Sequence, residues 1–78
     1  MYKIISKEYI VRGDVWEEDK KFNTLDEAVK WVKKEAMDTY FKMEYIIKND
    51  DIPVMKIIIP QRFTNNGLLP FRMEVEIY

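Results

Sequence analysis

The chain contains no cysteine and no histidine. The first absence removes disulfides and thiolate metal sites. The second removes the imidazole on which most acid–base catalysis relies, and without cysteine there is no thiolate nucleophile. Ser6 is the only serine, and nothing near it in sequence would activate it. Glycine is scarce as well. Gly13 and Gly67 stand alone, so there is no glycine-rich loop to cradle a phosphate. No apolar run is longer than Ile57-Ile58-Ile59, far short of the ~20 residues that a membrane helix needs. The residues after Lys3 lack the apolar core of a signal peptide. These absences lead us to expect a cytoplasmic protein with no membrane partner, no cofactor and no enzymatic activity.

What is present must then stabilise the fold. The 78 residues are 47% apolar and 14% aromatic, too apolar for a disordered chain. The length fits one domain, and a domain of this size buries only about 60% of the surface its unfolded chain exposes. The net charge is −1, which excludes a polyanion-binding or nucleic-acid-mimicking surface over the whole molecule. Residues with AT-rich codons, notably isoleucine and lysine, are abundant; this suits a gene from a low-GC bacterium or its phage.

The clearest local signal is a helix over "TLDEAVKWVKKEA". Thr24 and Glu27 have the spacing of a capping box. Asp26 and Glu27 sit where the helix dipole favours anions, and Lys33 and Lys34 where it favours cations. Leu25, Ala28, Val29, Val32 and Ala36 share one face at about 100° per residue. The helix is predicted to end near residues 37–39.

Elsewhere the period is two. Phe41, Met43, Tyr45 and Ile47 alternate with Lys42, Glu44, Ile46 and Lys48, then Met55, Ile57 and Ile59 with Val54, Lys56 and Ile58, then Leu69, Phe71, Met73, Val75 and Ile77 with Pro70, Arg72, Glu74 and Glu76. Parity decides the register, because a one-residue slip reverses every side chain. A three-residue loop at Asn65-Asn66-Gly67 pairs Thr64 with Leu68, Ile57 with Val75 and Met55 with Ile77, and sets Lys56 against Glu76. An odd loop around residues 49–51 aligns Tyr45 with Met55. At the front, a two-residue Gly13-Asp14 turn sets Val11 against Trp16 and Ile5 against Phe22. It puts Ile5, Trp16 and Phe22 on the core face, and Arg12 on the solvent face with Glu17 and Asp19. In this reading the Arg12-Gly13-Asp14 string, an adhesion signal in secreted proteins, is turn chemistry. The predicted fold is α+β: two layers in the order ββαβββ, one helix on a mostly antiparallel sheet of about five strands. Whether the first strand flanks the third or the last is left open.

Candidate site residues follow from this layout. The carboxylates Glu17, Glu18 and Asp19 beside Trp16 form an acidic hairpin tip; without a cleft at fixed separation they do not make a glycosidase pair. Asp50-Asp51 lacks calcium-loop spacing. Trp31 lies at the border of the helix's core face, either lapping the sheet or serving as an interface anchor. Ile46 and Ile58, with Val54 and Pro60, fall on the outer face of the sheet and would mark a contact surface if contiguous. The expected function is a small protein-interaction module that binds a larger protein and self-associates, with Trp16, Glu17, Glu18, Asp19, Trp31, Ile46 and Ile58 as contacts. The alternative is a nucleic-acid-binding domain using Lys20, Lys21, Lys30, Lys33 and Lys34, with aromatic side chains for stacking.

Overall fold

The computed structural model describes residues 1–10 and 13–78. It contains β1 (Tyr2–Glu8), β2 (Val15–Glu17), α1 (Leu25–Ala36), β3 (Met43–Asn49), β4 (Ile52–Ile59), β5 (Phe63–Thr64), β6 (Gly67–Leu68) and β7 (Glu74–Ile77). Five strands form one antiparallel sheet in the order β2-β1-β3-β4-β7, with α1 packed on one face. This is the α+β arrangement expected, and the first strand flanks the third. β5 and β6 form a separate ribbon.

The helix begins and ends as the residues dictate. Thr24 Oγ1 accepts from the Glu27 N–H at 3.2 Å, and Lys30 and Asp26 pair at 3.1 Å one turn apart. Ala28, Val32 and Ala36 are buried against Ile4, Tyr45, Ile47, Ile57 and Ile59 from the sheet. The small alanines let the backbone approach the strands closely, and Val32 fills the space between them. No helix of the described residues is long and apolar enough to cross a membrane.

Register follows the parity argument in part. Lys56 opposes Glu76, Ile57 opposes Val75 and Met55 opposes Ile77, as expected. The turn before them differs. Thr64 pairs with Gly67 and Phe63 with Leu68, so the loop is Asn65-Asn66. That ribbon is one residue out of step with β4–β7. The mismatch is absorbed by residues 69–73, which are not a strand; Pro70 there has no N–H to give to a ladder. Arg62 holds the ribbon in place. Its side chain donates to the Leu69 carbonyl at 2.9 Å and the Met37 carbonyl at 3.1 Å.

Between β3 and β4 the alignment slides by two residues from the one expected. Tyr45 opposes Ile57 and Ile47 opposes Met55, then the register shifts at Ile47/Lys48. The shift leaves Val54 unpaired in the ladder, and a tight Asp50-Asp51 turn follows, with Asp50 at φ 54°. Asp and Asn tolerate this left-handed conformation better than most residues. The core-facing parity survives because the slide is an even one.

The front hairpin departs most from expectation. Ser6 opposes Trp16 and Lys7 opposes Val15, and the Glu8 N–H donates to the Asp14 carbonyl at 3.0 Å, so Gly13-Asp14 is not the two-residue turn expected. Gly13 does adopt a left-handed φ of 74°. The side of the sheet is also reversed: Ile4 and Ser6 face the helix, fully buried, and Ile5 faces away. "KIIS" gives isoleucine in either parity, and a buried serine defeats a hydropathy pattern. The positions expected for Val11 and Arg12 lie outside the described residues.

Candidate functional site

Among the described residues, a concavity lies where β1, β2 and β3 meet the C-terminal end of α1. It is a cleft of about 480 Å³. Its walls are aromatic: Trp16 from β2, Trp31 from the helix, Tyr45 from β3, and Tyr40 and Phe41 from the helix–strand connection. Its polar lining is acidic: Glu8, Glu18, Glu35 and Asp38, with Thr39 the one neutral hydroxyl besides Tyr40 and Tyr45. No lysine or arginine lines it among the described residues.

Each side chain is placed by the fold. The Glu18 N–H donates to the Ile4 carbonyl at 2.8 Å, so the β1–β2 ladder continues one step beyond Glu17. That parity turns Glu18 toward the helix side and Glu17 away. Glu18 Oε2 then accepts from both Ser6 Oγ and Trp16 Nε1, each at 2.6 Å. Bonds to a charged acceptor at this distance are strong. They fix the carboxylate and the indole relative to each other. Ser6 is fully buried, so its hydroxyl serves to hold Glu18 rather than to attack a substrate.

Tyr45 forms the floor and is 3% exposed. Burial, followed by the Glu18 and Glu35 carboxylates, pushes its phenol up to about 12. Both causes disfavour the phenolate, so the cleft holds a neutral hydroxyl beneath a negative field. None of Glu8, Glu18, Glu35 and Asp38 pairs with a cation among the described residues, whereas Asp26, Glu44, Asp50, Asp51 and Glu74 each do.

The sequence-predicted residues separate accordingly. Trp16 (38% exposed), Glu18 and Trp31 come together here. Glu17 and Asp19 are exposed outside the cleft. Trp31 packs on the core and on Phe22, ring centroids 6.1 Å apart, as the first of its two readings has it, and it also lines the cleft. Ile46 and Ile58 are half-buried on the bare face of the sheet. The Lys56–Glu44 ion pair, 2.9 Å, lies between them. The hydrogen bond to Glu44 raises the Lys56 ammonium above its ordinary range. Val54 packs against the core instead.

On the other flank of Trp31 a second, shallower cleft of about 370 Å³ gathers Lys20, Lys21, Lys30 and Lys34 with Phe22 and Glu27. Lys33 is not in its lining. Sequence reasoning did not find Glu8, Glu35, Asp38, Tyr40, Phe41 or Tyr45 as site residues. Glu35 carries a signal in retrospect, since it lies one helical turn after Trp31. In comparison with known proteins, no family model, no curated protein and no solved structure matches this chain.

Proposed function

We propose that the protein is a non-enzymatic interaction module that acts by binding a larger protein, with the aromatic and acidic cleft as its contact site. The observation that carries this reading is the cleft itself. It combines preformed aromatic walls with carboxylates that pair with no cation among the described residues, and its rim exposes Ile10, Tyr40 and Phe41. Partly exposed aromatic anchors with nearby polar groups are what protein interfaces use. The Glu18 bonds to Ser6 and Trp16 hold the wall rigid before any partner arrives, which lowers the ordering cost of binding.

A photo-crosslinking amino acid at Ile10 tests this. In the source cell it gives a discrete higher-mass adduct with another protein, while the same group at Lys48, on the bare face, gives none. Adducts from neither position, or equal adducts from both, contradict the reading.

A second reading, nucleic-acid binding, rests on the lysines that the fold gathers beside Phe22 and Trp31. It requires binding to a single-stranded oligonucleotide that weakens steeply with salt. An absence of binding at low salt removes it. Self-association through the edge strand β7 is less favoured. The two registers that use most of the strand set Glu74 against Glu76, or Glu76 against its own copy. Like charges directly opposite are destabilising, and natural edge strands use them to prevent such pairing.

A further inference from the structure

The partner's chemistry can be narrowed on the basis of the interaction reading above. The cleft brings aromatic side chains and carboxylates together, and its lining among the described residues carries no cation. The carboxylates are spread around the walls; among the described residues no three acidic groups converge closely enough to hold a metal ion. A larger cation, with its charge spread over several N–H groups, matches such a site better.

The floor gives an independent indication. No hydrogen bond to the Tyr45 hydroxyl is formed among the described residues, and no side-chain polar atom among them is both sealed from solvent and unpaired. The hydroxyl of this otherwise buried residue therefore opens on the cleft, with a lone pair that no donor among the described residues uses. Glu18 offers another acceptor, because Ser6 and Trp16 both use Oε2 and leave Oε1.

We propose that the cleft binds an organic cation, the guanidinium or ammonium group of an arginine or lysine carried by the partner protein, stacked against Trp16 and Trp31 and hydrogen-bonded to Glu18 and the Tyr45 hydroxyl. A cation over an aromatic face gains from the ring quadrupole, most of all over tryptophan. Arginine also offers a planar fork of donors that fits a carboxylate and can stack on the indoles, and for both reasons it is the favoured occupant. Glu35 and Asp38 at the rim attract the approaching charge.

The test is a tryptophan-fluorescence titration of the full chain with N-acetyl-argininamide, N-acetyl-lysinamide, spermidine and the uncharged N-acetyl-citrullinamide. Saturable binding of the arginine compound, at least about tenfold tighter than its citrulline isostere, is the expected result. A weaker lysine response and no preference for spermidine point to a side chain as the source; spermidine binding tightest overturns the side-chain assignment. Glu18→Gln keeps an oxygen to accept from Ser6 and Trp16 and lowers arginine affinity about tenfold, the loss of one charge-assisted contact. Should that variant fail to fold, Glu35→Gln on the exposed helix surface lowers the same affinity, and Tyr45→Phe removes the floor acceptor alone. Equal binding of the arginine and citrulline compounds, or no saturable response to any cation, overturns the inference. In that event an adduct from the Ile10 crosslinker would still support a protein partner held by apolar contact.

Discussion

Trp31 divides two regions of opposite character. On one flank Glu18, Glu35 and Asp38 share a cleft with Trp16 and Tyr45; on the other Lys20, Lys21, Lys30 and Lys34 surround Phe22. The net charge of −1 conceals this division. The two flanks differ in construction as well as in sign. The acidic side is braced by two 2.6 Å hydrogen bonds to Glu18, one from buried Ser6 and one from Trp16. The basic side consists of long side chains on a surface, one of which, Lys30, is already paired with Asp26. Rigid groups lose less entropy on binding than flexible ones. That difference, more than charge, makes the acidic flank the stronger candidate.

Removing the dividing wall breaks the comparison outright. Trp31→Ala takes one wall from both clefts and leaves a gap beside Phe22. Because Trp31 is only half-buried, the expected loss is about 2–3 kcal/mol, below the range for a fully buried tryptophan. Urea denaturation checks this, and an unchanged midpoint would show that Trp31 does not pack as described.

Alkaline pH tests the floor of the acidic flank. Tyr45 keeps its proton in the folded state up to about 12, against an ordinary value of 10.0. The unfolded chain releases that proton first, so this contribution to stability is complete below pH 10.0 and is lost as pH rises towards about 12. Melting temperatures across that window should fall less steeply in Tyr45→Phe than in the parent. Parallel curves would contradict the account of the floor.

Smaller effects separate the scaffold from the sites. Thr24→Ala removes the helix cap and costs about 1 kcal/mol, with the preference for arginine over citrulline unchanged in the same fluorescence titration. Asp26→Asn costs about 0.3–0.5 kcal/mol through its pair with Lys30; it also frees that lysine and should tighten any oligonucleotide binding on the basic flank without touching the acidic one. Denaturation and salt-dependent binding measure the two parts.

The scaffold was largely legible in the sequence and the site largely was not, for a physical reason. A helix cap and an alternating strand are local, so Thr24, Glu27 and the series from Met43 to Ile47 signal them directly. The opposition of Lys56 and Glu76 follows from parity. Ser6 was misleading because its burial depends on Glu18, a partner twelve residues away. The irregular stretch after Leu68 depends on a one-residue mismatch between two ladders, which neither ladder reveals alone. Trp16, Glu18 and Trp31 were visible as candidates because tryptophan and clustered acids are conspicuous. Glu35, Asp38 and Tyr45 join them only through tertiary structure: a helix end, a connection and a middle strand meeting at one edge.

The most direct test is an NMR titration that follows the indole N–H resonances of Trp16 and Trp31. With N-acetyl-argininamide, the Trp16 indole signal should move progressively and saturate, because its N–H bonds to the Glu18 oxygen that lies beside the ligand. The uncharged citrulline compound should leave it in place. A Trp16 signal that stays fixed with both compounds, or moves equally with both, would contradict the cleft as a site for a cationic side chain.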